Sequence, residues 1–233
     1  MHRRFVFVVV SVVALLAMSV AIVGCSSAPT PTETVDNALK ALKAEDYETL
    51  AKYYNGDMSS LQDPEKALQE AGSSDLGLDT STNELTAEQK EIGEELVAKA
   101  LDFDYTLSNE KVDGDKATVD VTITTYDFGT AATEFLSKYM TQALASALTG
   151  KMSEDDYTDQ AFKLLKEQID KLGNKDTSAT VAVGLTKDSE GSWKVDDLEE
   201  NSEFADALLG GMASKIADLA NSLGTALESS STQ

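Results

Sequence analysis

The chain has 233 residues and carries 41 Asp and Glu against 19 Lys and Arg, a net charge of −22 at pH 7. That balance excludes nucleic acid as a partner, because phosphate binding needs a basic footprint. The single Cys and single His both lie within the first 25 residues, so the rest of the chain has no disulfide, no Ser-His-Asp triad and no zinc site built on His or Cys.

The N-terminus opens with Met1-His2-Arg3-Arg4 and then runs without charge from Phe5 to Val23. A short positive start before an apolar run is the pattern of an export signal, and it directs the chain beyond residue 24 out of the cytoplasm. The run exceeds the ~7–15 residues usual for a signal's apolar region, which also admits an uncleaved membrane anchor. Ile22-Val23-Gly24-Cys25 ends the run, and these four residues resemble the lipobox of bacterial lipoproteins. The resemblance implies cleavage between Gly24 and Cys25 and a diacylglyceryl group on the Cys25 thiol. The alternative is a free thiol at the end of a membrane helix. Two or more chains on one residue, palmitate among them, anchor stably where one does not. Cleavage there removes Arg3, Arg4 and His2 and leaves 17 lysines as the only basic side chains, lowering the net charge to −24. Anionic headgroups repel such a domain.

The chain then divides into four segments. Residues 1–24 are a lipoprotein signal peptide, 25–33 a Pro/Ser/Thr-rich tether, 34–223 a single α+β domain, and 224–233 a flexible tail. Structure is expected to begin with Thr34 as a helix N-cap, with Val35, Ala38, Leu39 and Leu42 at helical spacing. Asp46 suits the cap of a second short helix that turns Leu50, Tyr53 and Tyr54 inward. Pro64 suits the first turn of another, and residues 73–83 read as loop. The stretch 84–101 reads as an amphipathic helix with Leu85, Ile92, Leu96 and Leu101 on one side and Gly93 as its weak point.

Two strands come next. Phe103, Tyr105 and Leu107 alternate with Asp102, Asp104 and Thr106, and Ala117, Val119, Val121 and Ile123 alternate with Thr118, Asp120, Thr122 and Thr124. Asp113-Gly114 suits a tight hairpin between them, in a sheet covered on one face. Residues 129–173 read as two helices broken at Gly150, the second capped by Ser153 with acids in its first turn. A second hairpin comes after them, with Val181, Val183 and Leu185 returning through Ser189-Glu190-Gly191 to Trp193 and Val195. The last element is an amphipathic helix interrupted at Gly210-Gly211. The expected fold is thus α+β: a curved antiparallel sheet of two hairpins, packed with N-terminal helices, an inserted helix pair and a C-terminal helix.

Residues 34–56, 102–128 and 178–200 resemble the opening helices and strands of the nuclear transport factor 2-like, or ketosteroid isomerase-like, cone fold. Uncharacterised lipoproteins of Gram-positive bacteria combine such a domain with a lipobox. The resemblance implies a cone-like cavity, and carries no catalytic motif with it.

The aromatics Phe103, Tyr105, Tyr126 and Trp193, with Tyr53 and Tyr54, are candidates to line that cavity; the plainer reading makes them core. Asp102, Asp104 and Asp120 are carboxylates that can act as a base beside Tyr105 or Tyr126 as oxyanion donor; acids alternating with Thr otherwise mark a solvated sheet face. The acids of 153–159 and 112–120 do not match a calcium-loop spacing, and a helix N-terminus and a hairpin turn account for them. Met212, Ile216 and Leu219 form a helix face that suits either a partner or the domain's own sheet. The sequence calls for no cofactor and no metal. The expected function is a membrane-anchored, non-catalytic extracytoplasmic module that binds a small apolar ligand or an envelope protein. An Asp/Tyr enzyme of isomerase or hydrolase type is the alternative.

Overall fold

A computed structural model describes residues 28–56, 85–149, 154–198 and 202–231. Gly24 and Cys25, the helix expected around Pro64, the loop at 73–83 and the Ser153 cap lie outside those residues. The elements run α1 (Pro31–Lys43), α2 (Tyr47–Leu50), α3 (Ala87–Leu101), β1 (Asp104–Asp113), β2 (Lys116–Thr125), α4 (Phe128–Thr149), α5 (Glu154–Lys171), β3 (Thr177–Lys187), β4 (Trp193–Val195), α6 (Ser202–Leu208) and α7 (Met212–Ser231).

The strands form one curved, unclosed antiparallel sheet in the order β1-β2-β3-β4. The α+β, cone-like plan expected from the sequence is the plan observed. The two hairpins join through β2 and β3, which pair without a register break from Lys116↔Thr186 to Thr125↔Thr177, and α4 and α5 are inserted between those two strands. The β1–β2 turn is Gly114-Asp115, one residue later than expected, with Gly114 at φ +61. That is the conformation a two-residue turn with glycine first requires. Alternation does the rest. Val119, Val121, Ile123, Val183, Leu185 and Val195 are buried on one face with Val35, Leu39, Phe204 and Ala207 of the covering helices. On the other face hydroxyls pair across strands, Thr122 with Thr180 and Thr124 with Ser178.

Two boundaries differ from expectation. Thr30, not Thr34, caps α1: its side chain accepts from the Glu33 amide while the Glu33 carboxylate accepts from the Thr30 amide. Pro31 has no amide hydrogen to leave orphaned and its φ is already helical, so the helix starts inside the stretch read as tether. Thr34 is buried within it. The backbone stays helical to Ser231, where a flexible tail was expected from residue 224. The α6–α7 break at Gly210-Gly211 is where the sequence indicated.

That break is a tight junction. The Gly210 amide donates to the Ala207 carbonyl and the Gly211 amide to that of Asp206, a Schellman closure with Gly210 at φ +58. The Asp206 carboxylate then accepts from the Ala213 and Ser214 amides and so starts α7. The turn presses on the β2–α4 corner: a Cβ on Gly210 would lie 2.2 Å from the Tyr126 carbonyl oxygen, and one on Gly129 2.9 Å from the Gly210 oxygen. Lys215 fastens the same corner to Asp127 at 2.7 Å. Gly210→Ala therefore combines a left-handed φ with a backbone clash and is expected to cost about 2–4 kcal/mol. Gly114→Ala, in open space at a similar φ, is expected to cost only about 1 kcal/mol. Urea midpoints at unchanged m-value check the difference.

Candidate functional site

An apolar cavity of about 170 Å³ opens where α1 and α6 cover β3 and β4. Val35, Ala38, Leu39 and Leu42 of α1 line one wall, and Phe204, Ala205 and Leu208 of α6 another. Leu50, Tyr54, Leu101, Leu198 and the Val183 and Val195 side chains complete it. The volume arises from side-chain size. Ala38 is a short, buried residue of α1, and the space beside it is not filled by its larger neighbours; Ala205 of α6 lines the cavity as an exposed residue. The cavity presents carbon almost everywhere. Its one phenol, Tyr54, uses its hydroxyl elsewhere, donating to Asp197 Oδ1 at 2.8 Å and accepting from the Leu198 amide at 3.0 Å. Tyr54 itself is fixed by a parallel bridge to Val195.

Of the aromatics read from the sequence, Tyr54 is in this wall. Phe103, Tyr105, Tyr126 and Trp193 do not line it. Phe103 is fully buried in the main core, its ring under the Lys43 ammonium, which also donates to its carbonyl oxygen. Tyr105 donates to Asp36 Oδ1 at 2.8 Å; burial first, then that bond, push its phenol well above the usual range. Trp193 is half-buried with the Lys187 ammonium 4.8 Å above its ring. Tyr126 donates to Asp102 Oδ2 at 2.7 Å and lies under the Lys99 ammonium.

The Asp/Tyr pairing that an enzyme would need thus exists, outside the cavity wall. Lys175 bridges Asp102 at 3.1 Å and Asp104 at 3.0 Å. The bond from Tyr126, then that from Lys175, hold the Asp102 carboxyl below its usual range, while the bond donated to Asp102 raises the Tyr126 phenol. A carboxylate held low is a weak base. Asp120 accepts from Asn109 Nδ2 on the open sheet face. Among the described residues, no group of three or more His, Cys, Asp or Glu stands close enough to hold a metal ion, and no helix is long and apolar enough to cross a membrane.

The helix face of Met212, Ile216 and Leu219 is half-buried, and α7 packs on α4. The exposed apolar stripe lies instead on α4, where Met140, Leu144 and Leu148 recur every fourth residue and are 55%, 65% and 81% exposed. Sequence reasoning misses this stripe, and of the cavity wall it names Tyr54 alone as a lining candidate. Periodicity identifies which residues of a helix turn inward, but the opposing neighbours decide whether they meet anything.

The Asp102 geometry fixes a sign. A carboxyl whose folded pKa lies below its unfolded value of 3.8 contributes stability that is complete above that value and is lost as pH falls through the folded one. Carbon-13 titration is expected to give an Asp102 midpoint below 3.8, and Tyr126→Phe is expected to move it upward. A wild-type midpoint above 3.8 would instead mark Asp102 as an acid poised to hold a proton.

No curated protein matches the sequence. Among solved structures, the crystal structure of YcdA, a candidate lipoprotein of Bacillus subtilis subsp. subtilis str. 168, is 18% identical with a TM-score of 0.49. The match covers 73% of this chain and 55% of that one, so the chain spans about half of that neighbour's length. The model of a family described as a domain of unknown function, DUF5105, matches residues 79–209. That span takes in α3, the whole sheet, the inserted helix pair and α6, more than half of the sequence, and the chain belongs to the DUF5105 family.

Proposed function

We propose that this protein is an extracytoplasmic lipoprotein, anchored by acyl chains on Cys25, whose domain binds a small apolar ligand without catalysing a reaction. The observation that carries the binding reading is the cavity walled by α1, α6, β3 and β4, which offers carbon and no free polar group. A site made to do proton chemistry directs titratable groups at its ligand. Here the Asp102–Tyr126 pair is tied to Lys175 and does not face the cavity. These features favour the binding role over the Asp/Tyr enzyme. The anchoring reading rests on the sequence: the apolar run from Phe5 to Val23 ends at Ile22-Val23-Gly24-Cys25. We read the open sheet with its helical cover as a nuclear transport factor 2-like scaffold, and the host as Gram-positive, from the resemblance in the strands and the lipobox.

A second reading, an envelope protein as partner, is favoured by one observation only, the exposed Met140–Leu144–Leu148 stripe. Uncovered apolar stripes of this kind mark contact surfaces.

Anchoring is tested by replacing the thiol. Cys25→Ala is expected to abolish incorporation of labelled palmitate and to change the size or release of the exported chain. Continued labelling of the Ala variant would refute attachment at Cys25. For the ligand, native mass spectrometry of the chain purified from its own host is expected to show an apolar adduct that is lost when Ala38 is enlarged to Phe.

A further inference from the structure

We infer that the cavity receives one acyl chain of a neutral lipid ester taken from the membrane beside the protein. The inference rests on the apolar-ligand reading above and narrows it to a class. Three observations lead there.

The first is shape. Val35 and Leu42 both line the cavity, and seven residues of helix rise about 10 Å. The wall therefore extends along α1 far enough for an alkyl chain to lie against it. The volume of about 170 Å³ is close to that of an apolar cavity of about 150 Å³ known to take a benzene-sized group, so about six carbons of the chain fit inside.

The second is chemistry. The wall gives the ligand nothing to hydrogen-bond, since Tyr54 spends its hydroxyl on Asp197 and the Leu198 amide. The part of the ligand that enters is hydrocarbon, and its polar end stays outside. Outside, the chain from Cys25 onward carries a net charge of −24 and has the Asp197 carboxylate next to Tyr54. A carboxylate or phosphate monoester headgroup meets repulsion there, and a neutral or zwitterionic ester does not.

The third is position. The wall residue Val35 lies in the second turn of α1, and α1 starts at Pro31, six residues after Cys25. Six extended residues reach at most about 20 Å. With Cys25 in the bilayer, membrane lipid is the nearest source of hydrocarbon.

The test uses the full exported chain, reconstituted into phosphatidylcholine vesicles that contain a phosphatidylcholine with a diazirine on its acyl chain. After irradiation and digestion, the label is expected on peptides from 35–42 and 204–208. Filling the cavity with Ala38→Phe or, separately, with the smaller Ala38→Leu is expected to cut that labelling at least tenfold. Thermal melts of both variants show which one stays folded. Labelling that is insensitive to filling, or heavier on the exposed Met140–Leu144–Leu148 stripe, overturns the proposal. In a second arm, cells fed the diazirine fatty acid carry the photolabel on their own anchor. Cross-links from that chain to 35–42, without any from vesicle lipid, would make the anchor the occupant and overturn the membrane-lipid assignment. A third arm uses fluorobenzene followed by fluorine NMR. Binding that Ala38→Phe abolishes, with no acyl labelling, overturns the lipid class and leaves the apolar-ligand reading standing. Failure of both probes overturns the two together.

Discussion

The inner face of β2 is the constraint on which the rest of the domain depends. Val119, Val121 and Ile123 are completely buried there, and β3 continues the face with Val183 and Leu185 at 1% exposure. The side-chain period of a strand is two, so a slip of one residue would exchange this face for Thr118, Asp120, Thr122 and Thr124. The unbroken pairing of β2 with β3 therefore locks the sheet, although α4 and α5 separate the two strands in the chain. Once that face exists it must be covered, and α1 and α6 cover it. The cavity is the place where the cover is incomplete. With a single Cys in the chain and so no internal disulfide, this burial supplies most of the stability.

Electrostatics work against the same compact state. Lysines are few, and several connect elements rather than neighbouring turns. Lys166 joins α5 to Glu95 of α3, Lys138 of α4 joins Glu167 of α5, Lys175 ties the approach to β3 onto Asp102 and Asp104, and Lys215 holds α7 to Asp127. The bonds from Lys138, then Lys171, lower the Glu167 carboxyl to about 2. Exposed pairs of this kind contribute about 0–1 kcal/mol each. Their effect here is positional: Lys166 is shared by Glu95 and Asp170 and Lys175 by Asp102 and Asp104, acids that would otherwise repel.

How much of the fold is legible in the sequence depends on which signals are local. The strands are legible because alternation is a property of neighbours, and Val181-x-Val183-x-Leu185 states its face without help. The pause at Gly210-Gly211 is legible as a break, but its purpose is not. The close approach to the Tyr126 carbonyl depends on a corner far away in sequence. The start of α1 is concealed because Thr30-Pro31 sits in a Pro/Thr-rich stretch that has the composition of a tether. A capping box and a proline at the first helical position outweigh that composition. The cavity is illegible for a different reason. Aromatic residues announce themselves in a sequence, whereas Ala38 marks a void only when what packs beside α1 is known.

The early start of α1 also changes the picture of the anchor. Thr32 donates from both its amide and its hydroxyl to the Glu110 carboxylate, at 2.9 and 2.6 Å. The first turn of α1 is thereby fastened to the outer strand β1, and the tether cannot borrow length by unwinding that turn without giving up these bonds and the Thr30 cap. Five residues, 26–30, then separate Cys25 from the helix, which puts Pro31 at most about 20 Å from Cys25 when they are extended. If the lipid sits on Cys25 as proposed, an acidic domain that the headgroups repel is nevertheless kept within roughly two Debye lengths of them at physiological salt. A short, firmly rooted tether of this kind favours orientations in which the N-terminal end of α1 points to the bilayer. Val35, which lines the cavity from the second turn of α1, then lies toward the membrane-facing end of that helix.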